Sequence, residues 1–264
     1  MIATAAEPAS PRQARRSQRR SAFRNLTVTE AKLLVREVVP LLWGVGFPML
    51  LLSVIGTFSG GGPDKSLGGE TLVAAYVPVL VAFSCATFAL QGLPTVLAGY
   101  RERGILRRLN ATPVGAGRLL AAQLTVNLSV TLIATVGILV VGRAAFGVPL
   151  PRQPAGFAAA FGLAAAAMLG LGLLVASLAR NGRVAGAVGT MIFLPLMFFA
   201  GLWMPQATMP AALRTAGDDT PLGAAVAAIA HSMAGQWPPA AGLGVLAAYA
   251  MAFGLLAWRL FRWE

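Results

Sequence analysis

Six long apolar segments without a single Asp, Glu, Lys, Arg or His constrain the fold of this chain more than any other feature. They occupy residues 38–58, 72–97, 119–142, 155–178, 184–202 and 240–258 of the 264. Each is close to the length of about 20 residues that an α-helix needs to cross the apolar core of a bilayer. The sequence therefore predicts an all-α, polytopic membrane protein with six transmembrane helices.

Positive charge is concentrated on alternate connections between these segments. Of the 21 Lys and Arg residues, 17 lie before the first segment, between the second and third, between the fourth and fifth, and after the sixth. Because such residues accumulate on cytoplasmic loops, both termini are predicted to be cytoplasmic. This placement, with contact to anionic lipid headgroups, accounts for the net charge of +12, so nucleic-acid binding is not predicted.

The N-terminal region divides into a tail and a helix. Residues 1–22 are rich in Ala, Pro, Ser, Gln and Arg, which predicts a disordered basic tail before a membrane domain of residues 23–264. Apolar residues recur at helical spacing over 28–38, which predicts an amphipathic helix in the membrane interface. Thr27 and Glu30 have the spacing of a capping box at its start. An extension of the first transmembrane helix is the alternative.

The longest connection, residues 203–239, lies on the predicted outer side. Its apolar stretch, residues 222–230, is too short to cross a membrane. We therefore predict an outer re-entrant or interfacial segment between the fifth and sixth transmembrane helices.

Residue patterns for catalysis or metal binding are missing. Lys32 and Lys65 follow Ala and Asp, so neither belongs to a Gly-Lys phosphate loop. A single histidine, His231, and a single cysteine, Cys85, leave no metal-ligand cluster, so no cofactor is expected in this chain. An ion-coupled carrier is disfavoured because such carriers keep ionisable groups inside the membrane. A purely structural membrane protein stays open on composition alone.

Two stripes of polar side chains run along the second and third segments. A polar group that faces lipid is costly, so both stripes are expected to face inward. They either line a transport path or join helices by hydrogen bonds, and the sequence weights these roles equally. The candidate path residues are Ser84, Thr87, Gln91, Gln123, Asn127 and Thr131.

Small residues recur at every fourth position in the fourth segment. The stripe consists of Ala158, Gly162, Ala166 and Gly170. Small side chains let helix backbones approach closely in lipid, so this stripe predicts a helix-packing face.

The connection between the second and third segments carries the most specific motif. Residues 100–114 read Tyr-Arg-Glu-Arg-Gly-Ile-Leu-Arg-Arg-Leu-Asn-Ala-Thr-Pro-Val. This resembles the first intracellular loop of type-2 ATP-binding-cassette exporter permeases, most closely the daunorubicin-type drug-resistance subgroup. The matching positions are Glu102, Gly104, Leu106, Leu109, Thr112 and Pro113, and Asn110 departs from the pattern. Residues 202–223 bear a looser likeness to the family's outer re-entrant region.

The resemblance implies a coupling helix, in a loop of residues 100–117, that docks onto a separate ATPase. The implied coupling residues are Arg101, Glu102, Arg103, Gly104, Leu106, Arg107, Arg108, Leu109, Thr112 and Pro113. Two ATPase subunits holding ATP and Mg, and a second, identical or homologous permease, are the implied partners, besides membrane lipid. The implied activity is export of an amphiphilic drug or antibiotic across a bacterial plasma membrane. A lipid or a cell-wall glycoconjugate is the alternative substrate.

Independently of the resemblance, the charge pattern of the loop indicates a protein contact. Ile105, Leu106 and Leu109 lie between arginines, which predicts an exposed apolar patch rimmed by charge. A solvated loop held at the lipid headgroups is the alternative.

Overall fold

Helices of very different length build the whole fold. A computed structural model describes residues 11–59, 62–112 and 115–260, and these contain ten α-helical segments, two short 3₁₀ turns (Lys65–Leu67 and Gln206–Thr208) and no strand. In chain order they are α1 (Pro11–Arg36), α2 (Val38–Phe58), α3 (Leu72–Glu102), α4 (Ile105–Asn110), α5 (Ala116–Phe146), α6 (Pro154–Leu178), α7 (Gly182–Ala200), α8 (Ala211–Asp218), α9 (Pro221–Met233) and α10 (Ala240–Leu260). The helices α2, α3, α5, α6, α7 and α10 are long and apolar enough to cross a membrane. The prediction of an all-α protein with six transmembrane helices is confirmed.

Helix α1 differs from the sequence prediction in where it begins and in the role of Thr27. It begins at Pro11, so residues 11–22 are helical where the sequence predicts disorder, and residues 1–10 lie outside the described residues. Proline suits the first helical turn, and the Ala, Gln and Arg residues that follow are strong helix formers. The predicted capping box is also wrong, because Thr27 Oγ1 donates to the carbonyl of Phe23 (2.9 Å) inside a continuous helix.

Helix α3 forms the centre of the membrane domain. In its most apolar stretch 83% of the residues are buried by the protein itself, against 17% for α2 and 11% for α10. Helices α2, α5, α6, α7 and α9 pack around it. The peripheral helices expose large apolar side chains such as Leu50, Met191 and Leu255, as expected of helices that face lipid.

Two π turns lie within the described transmembrane helices, each two residues before a proline. They span Leu42–Gly46 in α2 and Thr87–Gly92 in α3. Pro48 lacks the N–H that would bond the Gly44 carbonyl, and Pro94 lacks the one that would bond Leu90. Ser84 Oγ donates to the Gly44 carbonyl at 2.8 Å. A hydroxyl from the neighbouring helix thus satisfies the acceptor that proline leaves free.

Two glycines let α6 and α7 approach the backbone of the α3 π turn. A Cβ atom at Gly172 would overlap the Ala89 carbonyl, and one at Gly189 would overlap the Leu90 carbonyl. Of the stripe predicted from spacing, Gly162 has no atom within 4 Å of its missing Cβ, and Ala158 and Ala166 are exposed. Its last member, Gly170, is buried, and a Cβ there would lie 3.2 Å from Phe253 of α10. The face of α6 that packs on α3 is therefore not the four-residue repeat, which packs only at Gly170.

The outer connection folds into two helices, α8 and α9. The hydroxyl of Thr220 caps α9 by accepting from the N–H of Gly223 at 3.1 Å. Leu222, Ala225 and Ile229 are fully buried, since α9 packs among α3, α6, α7 and α10. At 13 residues α9 is too short to cross a bilayer, as predicted for residues 222–230.

Candidate functional site

The predicted coupling motif folds into a short helix held between two tight connections. Helix α3 ends at Glu102, and Gly104 then adopts a left-handed conformation with φ of +68°. Its N–H donates to the carbonyl of Arg101 at 2.9 Å. At the other end, Asn110 Oδ1 accepts from the N–H of Ala116 (3.1 Å) and closes the loop onto α5. Nothing in the sequence pattern indicates this role for Asn110, which departs from the family motif.

The apolar side of α4 faces the protein interior. Leu106 is 2% exposed and packs with Tyr100 and Leu119, and Ile105 and Leu109 pack against this small core. The prediction of an exposed apolar patch is therefore wrong. A six-residue helix has room for one apolar side, and here that side fixes α4 to the ends of α3 and α5.

The outward side of α4 is polar and basic. Arg107, Arg108 and Thr112 are exposed, and Pro113 lies outside the described residues. Arg103 is also exposed, and its guanidinium carbon lies 5.5 Å from the centre of the Tyr100 ring. Arg103, Arg107 and Arg108 thus form an exposed basic face on and beside α4.

Arg101 and Glu102 hold the connection between α6 and α7. The Arg101 guanidinium donates to the carbonyls of Ser177 (3.2 Å) and Ala179 at the C-terminal end of α6. Glu102 Oε2 accepts from the N–H of Gly182 (3.4 Å) at the start of α7. A cation at a helix C-terminus and an anion at an N-terminus both match the helix dipole. These two residues, for which the family resemblance implies contact with an ATPase, therefore link the end of α3 to the connection between α6 and α7.

A polar cavity of about 330 Å³ lies at the same end of the protein, among α1, α3 and α5. Its polar and charged lining consists of Glu30, Glu37, Gln91, Thr95, Tyr100, Arg103, Gln123 and Asn127. Glu30 is 6% exposed. The Tyr100 hydroxyl donates to both of its carboxylate oxygens (3.1 and 2.9 Å), and Gln123 Nε2 donates to Oε2 at 2.5 Å.

The environment of Glu30 raises the pKa of its carboxyl above the ordinary value. Burial raises the pKa of its carboxyl, the hydrogen bond from Tyr100 opposes that shift, and the charge of Glu37 adds to it. Sequence reasoning misses this group, because its partners lie 70 and 93 residues along the chain. The one local signal is an acid within the predicted interfacial helix.

The structure separates the two polar stripes into different roles. Gln91, Gln123 and Asn127 line the polar cavity. The hydroxyls of Thr87 and Thr131 donate to carbonyls one helical turn back, those of Phe83 and Asn127, each at 2.8 Å. With Ser84 bound to Gly44, these three hydroxyls serve helix structure. The Gln91 amide forms no hydrogen bond with the other described residues.

An aromatic cavity of about 440 Å³ lies between α2, α3 and α7. Its aromatic lining consists of Trp43, Phe47, Phe83, Phe193 and Trp203. The Phe83 ring lies 5.1 Å from Phe47 and meets Phe193 edge-on at 5.4 Å. Gln91 lines this cavity as well as the polar cavity. The two cavities thus meet at one amide side chain.

Comparison with known families decides what kind of protein carries these features. The sequence model of the ABC-2 type transporter family matches residues 21–234, from the middle of α1 to the end of α9. The chain belongs to the ABC-2 type transporter family. It is a multi-pass membrane protein and the permease component of an ABC transporter. No curated protein gives a significant match to the chain.

In this ABC-2 permease the coupling loop is joined to three parts of the membrane domain. Leu106 packs in the core that α4 shares with the ends of α3 and α5. Arg101 and Glu102 reach the connection from α6 to α7. Tyr100 reaches Glu30 of α1. The end of α3, which leads directly into α4, therefore contacts α1 and the connection from α6 to α7. The assignment to the daunorubicin-type subgroup stays a prediction.

Proposed function

We propose that this ABC-2 permease exports an amphiphilic drug or antibiotic from a bacterial cell. The energy comes from two separate ATPase subunits, which hold ATP and Mg, and a second identical or homologous permease completes the complex. Both termini and α4 face the cytoplasm, in line with the distribution of Lys and Arg. The observation that carries the proposal is the aromatic cavity with Gln91 at its margin.

The aromatic cavity has the character that an amphiphile needs. Five aromatic side chains supply large apolar surfaces, while polar groups are few: Thr87, Gln91 and Thr190. Ligand sites typically combine a volume of about 300–1,000 Å³ with mostly apolar walls and a few polar groups that orient the ligand. A molecule with one polar end and an aromatic or aliphatic body fits this description.

Two features support ATP hydrolysis by a partner as the energy source: the absence of charged side chains in the apolar segments, and the exposed basic face of α4. The six apolar segments have no Asp, Glu, Lys, Arg or His through which an ion gradient would act. The basic face of α4 is exposed, and Leu106 packs the other side of the helix against Tyr100 and Leu119. A partner that pushes on this face moves the permease through those contacts.

Reversing the charge of the basic face is expected to abolish ATP-driven export. The double variant Arg107→Glu/Arg108→Glu alters two exposed side chains, so the membrane fold should persist while ATPase docking is lost. The measurement is ATP-dependent uptake of a fluorescent amphiphile into inverted membrane vesicles, with the ATPase that co-purifies with the permease. Arg143→Glu/Arg214→Glu is the matched control, since it reverses two exposed arginines on the opposite side. Equal uptake by both double variants would contradict the proposed docking face.

Replacing Gln91 by leucine is expected to change which amphiphiles are exported. Its amide forms no hydrogen bond with described residues, so its loss should leave packing intact and alter only contacts with the substrate. Ser84→Ala is the matched control, because that hydroxyl satisfies the Gly44 carbonyl and its loss should lower export of every compound equally. Resistance to a panel of unrelated amphiphiles, normalised to protein level, separates the cases. A uniform decrease for Gln91→Leu would remove Gln91 from the path.

A further inference from the structure

The buried carboxylate of Glu30 has only neutral donors around it. Tyr100 contributes a hydroxyl and Gln123 an amide, both within hydrogen-bond distance. No Lys or Arg among the residues that the structure describes forms an ion pair with it. An isolated buried carboxylate is strongly unfavourable, so it must take up a proton or meet a cation.

The cavity beside Glu30 is rich in acceptors and open to a ligand. Glu37 adds a second carboxylate to its wall. Asn127 is 3% exposed and uses its amide N–H groups on Gln123, while its Oδ1 accepts no hydrogen bond from the described residues. Among the described residues that line the cavity, the one cationic side chain is Arg103, whose Nε–H donates to the Gly99 carbonyl at 3.1 Å and whose guanidinium lies beside the Tyr100 ring. Within the described part of the chain, the Glu30 carboxylate therefore has no hydrogen bond from a cationic side chain.

We propose that the polar cavity binds the ammonium group of a cationic amphiphile, with the Glu30 carboxylate as its counter-ion. Glu37 reinforces the negative potential, and the amide oxygens of Gln91 and Asn127 provide further contacts. Because Gln91 lines both cavities, the apolar body of the same molecule reaches the aromatic cavity. The inference rests on the proposed function in one respect, which is that the bound amphiphile is the substrate that the permease exports.

The binding of a permanent cation to this site has a defined pH dependence. The groups that face Glu30 are Glu37 at the end of α1, Tyr100 and Arg103 from α3 and its end, and the neutral amides of α5. Burial raises the pKa of Glu30, so its carboxyl keeps its proton to a higher pH than an ordinary glutamic acid does. The protonated, neutral form lacks the attraction for a cation. Affinity for a quaternary ammonium should therefore rise as pH increases through this raised pKa.

The test uses the purified full-length permease in lipid nanodiscs without ATPase or ATP. The probes are a fluorescent quaternary ammonium amphiphile and its neutral analogue, in which carbon replaces the ammonium nitrogen. Binding is followed by fluorescence anisotropy between pH 4 and 9. We expect the wild type to prefer the cation by about tenfold, as an opposite charge within about 4–6 Å implies. Glu30→Gln should lose that preference and the pH dependence, and Glu70→Gln, at an exposed site on the opposite side, should keep both.

Two outcomes would overturn the inference. One is equal affinity of the wild type for the cation and the neutral analogue. The other is a flat pH profile for binding of the cation to the wild-type protein. That result would mean that a proton alone neutralises Glu30, and it can be detected without any variant. Binding that follows the expectation in a protein without ATP-driven uptake would contradict the proposed export function and leave the site in place.

Discussion

Replacing Gly172 by alanine is expected to destabilise the permease by about 3 kcal/mol, the upper range for overpacking of a close-packed interior. The added methyl group would overlap the Ala89 carbonyl in the π turn of α3. That oxygen belongs to the backbone of the most buried helix, so no flexible side chain can move aside. Gly189→Ala should behave alike, because its methyl group would overlap the Leu90 carbonyl.

Gly162→Ala is the matched control, since it lies in the same helix and has open space where the Cβ would stand. Alanine has the higher helix propensity, by about 1 kcal/mol in exposed positions, so this change should be neutral or slightly stabilising. Thermal unfolding of the purified protein, followed by tryptophan fluorescence, compares the variants. If Gly172→Ala and Gly162→Ala had the same midpoint, α6 would not pack closely on α3.

This contrast shows how far residue spacing determines helix packing. The four-residue repeat of small side chains in α6 marks a face with Ala158, Gly162, Ala166 and Gly170, yet only Gly170 is buried and the other three are exposed. The face that packs is defined by carbonyls of α3, which the π turn before Pro94 brings against Gly172 and Gly189. Spacing along one helix carries no information about where a neighbouring helix is interrupted.

The transmembrane helices were predictable because their signal is local. A run of about 20 apolar residues can satisfy its backbone groups in lipid only as a helix, whatever surrounds it. Helix α3 nevertheless extends to Glu102, past the predicted end at residue 97, because the helix continues beyond the apolar stretch into the coupling loop. Composition shows which residues cross the membrane, but it does not show where a helix ends.

The candidate sites were only partly predictable because their contacts join distant parts of the chain. Thr27 and Glu30 fit a capping box by spacing, but the hydrogen bonds of Glu30 come from Tyr100 and Gln123. Leu106 fits an exposed patch by its charged neighbours, but the ends of α3 and α5 cover it. In both cases tertiary packing decides between two patterns that are equally compatible with the local sequence.

Replacing Gly104 by proline is expected to uncouple ATP hydrolysis from substrate by more than tenfold, while the permease still reaches the membrane. Proline fixes φ near −65°, but Gly104 has a φ of +68°, and its N–H donates to the Arg101 carbonyl. The change therefore opposes the backbone conformation and removes a donor, at a cost of about 3 kcal/mol or more. The turn that joins α4 to the end of α3 would be lost, so a movement of α4 should no longer reach Tyr100, Arg101 and Glu102, which contact α1, α6 and α7.

Asparagine at the same position separates backbone conformation from loss of glycine as such. Asparagine tolerates the left-handed region far better than other non-glycine residues, and a Cβ at Gly104 meets no atom within 4 Å. Gly104→Asn should therefore keep most of the substrate-stimulated ATPase activity of the reconstituted complex, and Gly104→Pro should lose it. Full stimulation in Gly104→Pro would show that α4 transmits force without this turn. Equal loss in both variants would mean that the partner requires the bare glycine surface. Neither result is expected if the turn depends on the positive φ of Gly104 alone, because asparagine can adopt that φ and proline cannot.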